Sequence, residues 1–262
     1  MRRLFIFGLG YSAARIAARA QADGWEVVST GRAGTLAFDD MGAVRLALAD
    51  SAQVLSSVPP SGEGLDPVLE LYGECLSGKG LTYLSSTGVY GDCGGAWVDE
   101  SAPTGTGRRT ARSEADAAWL ARGARVLRLP GIYGPGRSAL DRVRAGRALR
   151  IDLPDQVFSR VHVDDIVAGA LLALDAPAGA YNLADDLPCS QNTVIEEASR
   201  LLGVAPPPLQ TLEAAALSPQ ARAFYAENRR VANGKAKRVL GWSPRLASYR
   251  EGLAALLAIC QL

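Results

Sequence analysis

Short apolar runs alternate with longer stretches of helical period through the first half of the chain. Leu4–Phe7, Trp25–Ser29, Gln53–Val58, Leu81–Ser85 and Arg125–Leu129 are near-continuous apolar runs. That pattern belongs to parallel strands covered on both faces, not to a sheet with one wet side. The third run stops at Pro59-Pro60. Between the runs, Gly10–Ala22 is alanine-rich, Asp66–Leu76 sets Val68, Leu69, Tyr72 and Leu76 on one stripe, and Arg112–Ala121 has helical composition. Strand–helix alternation of this kind predicts an α/β fold with a doubly wound parallel sheet.

The second half changes character. Ser138–Arg147 reads as a basic helix, Ile166–Leu174 as an apolar helix and Ala180–Leu183 as a strand. Thr193–Leu202 carries Val194, Ile195, Ala198, Leu201 and Leu202 on one face, and Gly203 with Pro206-Pro207-Pro208 ends it. The expected organisation is a sheet domain over residues 1–130 with a returning segment near 155–185. A smaller C-terminal lobe occupies most of 131–262. No internal repeat or low-complexity tract interrupts this.

Composition narrows the function classes. The 262 residues are 48% hydrophobic and 21% charged, enough apolar content for a sizeable core and too much for disorder. Lys+Arg total 28 and Asp+Glu 27, a net charge of +1, so the basic excess of a nucleic-acid binder is missing. No apolar run reaches the roughly 18–20 residues of a membrane span. The apolar stretch after Arg2-Arg3 is shorter than the about 7–15 residues of a secretory core. Cys75, Cys93, Cys189 and Cys260 are far apart and form no Cys-x-x-Cys pair, so neither a zinc site nor a compact disulfide framework is expected. The expected setting is a reducing cytoplasm and the expected partner a small molecule, not nucleic acid or membrane.

The chemistry begins at Gly8-Leu9-Gly10-Tyr11-Ser12-Ala13, a Gly-x-Gly-x-x-Ala turn between the first strand and the first helix. The first glycine permits a tight turn, the second clears space for a pyrophosphate, and the small third residue lets helix and strand pack closely. Free amides at the helix start, Tyr11 to Ala13, face the phosphates. A tight turn without a ligand is the alternative. The second strand ends Ser29-Thr30-Gly31-Arg32, with no acid for a ribose 2′-hydroxyl. A guanidinium at Arg32 binds a 2′-phosphate in two parallel hydrogen bonds, which favours NADP, with NAD as the alternative. Arg32 as a solvated loop arginine is the competing reading.

Several later segments occur in the order of a known family. Tyr83-Leu84-Ser85-Ser86-Thr87-Gly88-Val89-Tyr90-Gly91-Asp92 resembles the strand-5 segment of the extended short-chain dehydrogenases, the NAD-dependent epimerase/dehydratase group. Asp99-Glu100-Ser101, Arg128-Leu129-Pro130-Gly131-Ile132-Tyr133-Gly134-Pro135-Gly136, Val161-His162-Val163-Asp164-Asp165-Ile166 and Tyr181-Asn182-Leu183 resemble further segments of that family. So does the closing Ala236-Lys237-Arg238-Val239-Leu240-Gly241-Trp242-Ser243-Pro244. The resemblance implies a Rossmann-type sheet, a C-terminal substrate lobe, a nicotinamide cofactor and a Ser/Thr–Tyr–Lys site. It places Ser86 at the catalytic hydroxyl, with Thr87 beside it. Ser57, Val58 and Ser85 with Thr30 are expected at the cofactor, and Tyr133 near the nicotinamide, because its loop follows a strand's carboxyl end; Tyr90 packs below Ser86 or lies by the substrate. The family's substrates imply a nucleotide sugar or a related phosphorylated or carboxylated compound.

One part of the pattern is missing. No tyrosine lies between Tyr90 and Tyr133, and no lysine between Lys79 and Lys235. If Asp116 takes the place of the acid four residues after the family lysine, Arg112 stands at the lysine position and Arg108 at the tyrosine position. Arginine stays protonated and exchanges no proton at neutral pH, although it orients hydroxyls or stabilises an anion. Tyr90, Tyr133, Asp92, Glu100 and His162 are the candidates for a substitute base, His162 more readily as a satisfied structural histidine.

Arg137, Arg142, Arg144, Arg147 and Arg150 crowd one segment, with Arg160 nearby. They form either an anion site, with Arg137 as the best single candidate, or a solvated face. Thr211–Asn228 is a lid over the substrate, a packed excursion or a homodimer surface. Two functions follow: an NADP-dependent epimerase, dehydratase or reductase, and a non-catalytic NADP-binding sensor or regulator.

Overall fold

The computed structural model describes residues 2–62, 66–107 and 110–259. In chain order the elements are β1 (Arg3–Phe7), α1 (Tyr11–Ala22), β2 (Glu26–Ser29), α2 (Met41–Ala49), β3 (Gln53–Ser56), α3 (Pro67–Tyr72), β4 (Gly80–Ser86), β5 (Trp97–Val98), α4 (Thr110–Ala121), β6 (Arg125–Leu129), β7 (Gly131–Tyr133) and α5 (Ala139–Arg144). There follow β8 (Arg150–Ile151), β9 (Arg160–His162), α6 (Val163–Ala173), β10 (Gly179–Asn182), α7 (Gln191–Leu202), β11 (Leu209–Gln210), α8 (Pro219–Phe224), β12 (Arg230–Val231), α9 (Gly234–Leu240) and α10 (Tyr249–Ile259).

Six strands form one parallel sheet in the order β10-β6-β4-β3-β1-β2. Strand order reverses between β1 and β3, which opens a crevice at the carboxyl ends of these strands, where such sheets bind ligands. Alternation along β1 assigns its residues to two layers. Leu4 and Ile6 pack with Ile16 of α1, Ala170 of α6 and Trp242 on one face. Phe5 and Phe7 pack with Val44, Val68, Tyr72 and Trp119 on the other. The Rossmann-type α/β architecture expected from the apolar runs is therefore the one observed. Among the described residues, no helix is long and apolar enough to cross a membrane.

Polar anchors fix the helices beside the crevice. Asp66 caps α3 by accepting from the amides of Val68 and Leu69, and its second oxygen accepts from the Trp119 indole at 2.8 Å. Trp119 stacks on Tyr83 with centroids 5.3 Å apart, which holds α4 against β4. A separate apolar cluster of Tyr133, Leu140, Val194, Ala198, Tyr249 and Leu253 joins α5, α7 and α10 over the carboxyl end of the sheet.

Several elements differ from the expectation, among them α2, which no pattern had marked. The third strand stops at Ser56, and Ser57-Val58 turns out of the sheet toward the glycine loop. The basic helix is shorter than the charge pattern suggested. Ser138 caps it in a reciprocal box with Asp141, and Gly146 at φ +62° ends it, so Arg147 lies beyond it.

Candidate functional site

The glycine turn is built for an anion. Gly8 takes φ +79°, and a Cβ there would lie 3.0 Å from Val58 Cγ2 and 3.1 Å from Ser57 Oγ. Its amide donates to Thr30 Oγ1 at 3.1 Å, and its carbonyl accepts from Ser57 Oγ at 2.6 Å. Gly10 is the N-cap of α1 and provides no side-chain cap, so the first amides of a 12-residue helix point outward unpaired by side chains. A Cβ built on Gly10 meets nothing within 4 Å, so the space above those amides is open. Ala13 is buried against the core, as the third small position requires. The residues present therefore fit a dinucleotide diphosphate: an empty cradle, free amides and a positive helix end.

Gly31 runs hard against this loop. At φ +121°, its Cβ would stand 3.0 Å from the Leu9 amide nitrogen. That close approach places the exposed Arg32 at the edge of the turn. Thr30 and Val58, expected at the cofactor, act from beneath. Thr30 is fully buried with its hydroxyl occupied by Gly8, and Val58 packs under Gly8. Both shape the loop and are absent from the walls of the cleft.

The cleft has a volume of about 440 Å³. One wall is Gly10–Ala13 with Ser57. The opposite wall is the end of β4 and the turn after it, Ser85 to Gly88, with Arg112 of α4. The two serines have different partners. Ser85 Oγ donates to Asp116 Oδ2 at 2.6 Å, inside a buried pair in which Arg128 grips Asp116 at 2.7 and 3.1 Å. Ser86 Oγ accepts from the Gly88 amide at 3.1 Å, which leaves its own proton free to point into the cleft. Arg112 is half-buried, and Thr87 reaches the cleft although almost wholly buried.

Tyr90 is packed away from the cleft, and Tyr133 departs from expectation. Tyr90 is 1% exposed, and its hydroxyl donates to Asn182 Oδ1 at 2.8 Å and accepts from Arg128 at 3.0 Å. It is a core strut behind Ser85 and is absent from the cleft wall. Tyr133 is also turned away: its hydroxyl donates to Ser248 O, its ring meets His162 edge-on, and burial pushes the phenol well above its ordinary range. The loop residues before it, Pro130 to Ile132, line the cleft instead.

The other substitute bases fare no better. Asp92 accepts from the Asn228 amide and Glu100 from the Asn182 amide. His162 is 2% exposed, its Nδ1 accepts from the Asp164 amide, and burial lowers its pKa. It is a structural cap of α6. None of the five lines the cleft. Arg108 lies outside the described residues.

The remaining cleft wall comes from the second half. Phe158 and Ser159 precede β9, and Phe224, Glu227 and Arg229 follow from α8 and its exit. Glu227 pairs with Arg229 at 3.0 Å, and Arg229 also donates to Gly91 O at 2.6 Å. Phe158, Ser159 and Arg229 lie in irregular connections that no periodic signal marks, whereas Phe224 ends α8 and falls with Glu227 in the Thr211–Asn228 segment read as a lid, a packed excursion or a homodimer surface.

A second cavity, about 590 Å³, continues from the first and shares Gly131, Ile132, Arg137, Phe158, Ser159 and Phe224 with it. Arg142, Arg147 and Arg160 line its far part. Arg137 stands over the Tyr11 ring at 5.5 Å, at the junction of the two spaces, and the Tyr11 hydroxyl donates to Pro135 O at 3.1 Å.

Comparison with known proteins places this geometry. No family model matches the chain. The solved structure of a conserved protein of unknown function from Silicibacter pomeroyi is 36% identical, covers 99% of both chains and superposes with a TM-score of 0.88. A human epimerase family protein, solved with NADPH, is 17% identical over 98% of this chain and 99% of its own, with a TM-score of 0.78. NAD-dependent epimerase/dehydratase proteins share the same fold. A curated relative, the 3-diazoavenalumate denitrifying reductase of a Streptomyces species, is 38% identical over 140 residues, 49% of this chain. That match spans 45% of the reductase's own length.

Proposed function

We propose that this chain, which shares its Rossmann-type fold with NAD-dependent epimerase/dehydratase proteins, is an extended short-chain dehydrogenase/reductase and an NADP(H)-dependent reductase of a small anionic substrate. The observation that carries the reading is one cleft walled on one side by the uncapped first turn of α1 and on the other by the hydroxyls at the end of β4. A bound nicotinamide would supply a hydride. The chain's own residues do the rest. Gly10 to Ala13 hold the diphosphate, and Arg32 holds a 2′-phosphate at the loop edge, which favours NADP over NAD.

Ser86 donates its free proton as a hydrogen bond to the reacting atom of the substrate, and Arg112 supplies fixed positive charge toward it. Donors and a cation suit charge that builds up as hydride arrives, and the balancing proton comes from solvent. Oxidising an alcohol, as epimerisation requires, is helped by a general base, and the five candidate bases are committed elsewhere, while the one carboxylate of the cleft wall, Glu227, is paired with Arg229. The name of the Streptomyces relative supports the reductive direction. Nucleotide sugars, phosphorylated compounds and carboxylated compounds are all substrates in keeping with the arginines beyond the cleft.

The missing base also favours a second reading, a protein that binds NADP without turning it over. Following NADPH absorbance against a panel of unsaturated and carbonyl acids and sugar nucleotides separates the two. Consumption that falls in Ser86→Ala supports the reductase. Tight NADPH binding with no consumption across the panel favours the sensor, and no binding of either dinucleotide refutes both.

A further inference from the structure

The second cavity combines two linings that select the same ligand. Its apolar wall includes Ile132, Phe158, Val194, Phe224 and Leu253, with Phe158 and Phe224 stacked at 4.6 Å and 8°. Its charge is one-sided. Arg137, Arg142, Arg147 and Arg160 line it against a single acid, Asp141. That acid is occupied by the amide and hydroxyl of Ser138. Arg160 is 6% exposed and donates only to neutral acceptors, the Phe158, Cys189 and Ser190 carbonyls, the Cys189 sulfur and Gln191 Oε1. Among the described residues, the guanidinium groups of Arg142 and Arg147 meet no carboxylate and no carbonyl.

The neutral polar side chains of the cavity are few and partly engaged. Ser159 Oγ accepts from the Val231 amide, Tyr133 donates to Ser248 O, Tyr249 accepts from Arg250, and Gln191 accepts from Arg160. A sugar ring needs several neutral donors and acceptors around it, and desolvating its hydroxyls against hydrocarbon costs free energy. This cavity offers mainly guanidinium groups and hydrocarbon, with few neutral polar groups between them.

We infer that the second cavity seats the substrate and that its substrate is a flat apolar acid, an aromatic or conjugated body ended by one carboxylate. The inference rests on the reductase reading for its chemistry, but not for its binding. Arg142 and Arg147 line the second cavity alone, whereas Ile132, Arg137, Phe158 and Phe224 line both spaces. An acid held by the first pair lays its body along the stacked phenyl rings and presents its other end to the cleft beside Ser86. Guanidinium groups bind a carboxylate in paired hydrogen bonds, and the rings match a planar body.

Calorimetry tests this with trans-cinnamate, its methyl ester and UDP-glucose, each with and without saturating NADP. The acid is expected to bind at least tenfold more tightly than either the ester or UDP-glucose. Its affinity is expected to fall at least tenfold in Arg142→Ala/Arg147→Ala and severalfold in Phe224→Ala, all at exposed positions. UDP-glucose binding more tightly than cinnamate, cinnamate indifferent to the arginine substitutions, or no binding of cinnamate at all overturns the inference. NADP binding is recorded in the same titrations, so loss of the cofactor reading shows separately from loss of this one.

Discussion

Substituting Gly10 with alanine isolates the anion cradle from the fold. Gly10 sits in extended backbone (φ −83°, ψ −170°), which alanine adopts without strain, and the added Cβ meets nothing within 4 Å. Alanine is a poorer N-cap than glycine by up to about 1 kcal/mol, and its stiffer unfolded chain returns about 0.4–1 kcal/mol. The apo-protein is therefore expected to melt within a few degrees of wild type. The bound state differs, because the methyl group occupies the space a phosphate needs. Displacing the phosphate from one amide forfeits a charge-assisted hydrogen bond of about 1.5–3 kcal/mol, which is about 10- to 150-fold in Kd. At NADPH one hundred times the wild-type Kd, ligand stabilisation is about 2.7 kcal/mol, and a hundredfold weaker variant retains about 0.4 kcal/mol. At roughly 2–4 °C per kcal/mol for a chain of this size, a shift of about 5–10 °C shrinks to about 1 °C. Scanning fluorimetry with and without NADPH, checked by calorimetry, reads both halves. An undiminished shift in Gly10→Ala refutes the cradle, and an apo-protein that melts far below wild type refutes the claim that the space is empty.

Arg32→Ala is expected to weaken NADPH roughly 10- to 100-fold while leaving NADH within about twofold, measured by parallel titrations. Ser86→Ala is expected to lower kcat about 10²-fold or more with NADPH affinity retained, as when one donor to a reacting atom is removed. Asp116→Ala strands the buried Arg128 and is expected to cost about 3–5 kcal/mol in urea unfolding. Asp185 is buried with Oδ2 unpartnered, and its pKa is raised to about 7. Because the folded value lies above the unfolded one, its protonated form stabilises the fold fully below about pH 4, and that contribution is lost as pH rises to 7. The stability of Asp185→Asn relative to wild type is expected to climb between those limits, by on the order of 4 kcal/mol at most, and to level off above pH 7; a flat difference across that range counts against the assignment.

The sheet was legible because its strands bury both faces and so write apolar runs into the chain. Five of its strands, and β10 as well, lie on those runs. The glycine turn was legible for a related reason, since backbone geometry there excludes most side chains whatever surrounds it. What the sequence hid was settled by distant partners. Tyr90 carries the motif position of a site residue, yet its hydroxyl is fixed by Asn182, 92 residues away, and by Arg128. Tyr133 likewise answers to Ser248 and His162. Phe158 and Arg229 reach the cleft from irregular segments, where neither period nor capping chemistry marks a position, and Phe224 reaches it from the end of α8.

The neighbouring serines show how one strand end separates structure from chemistry. Successive residues of a strand face opposite sides. Ser85 therefore turns toward α4, where it gives its proton to Asp116 and completes a chain that runs through Arg128 and Tyr90 to Asn182. Every member of that chain is buried, and leaving any one unpaired is costly, so the end of β4 is held in place. Ser86, one residue on, accepts from Gly88 and keeps its proton for the cleft. The rigid chain behind one hydroxyl gives the other a fixed direction, and this preorganisation is available to the proposed reductase without the tyrosine and lysine that the resemblance implied. With Arg112 as the nearby cation, and with the one carboxylate of the cleft wall, Glu227, paired with Arg229, the site offers donors and positive charge. In the proposed reductase, that combination stabilises the charge that builds on the substrate as hydride arrives.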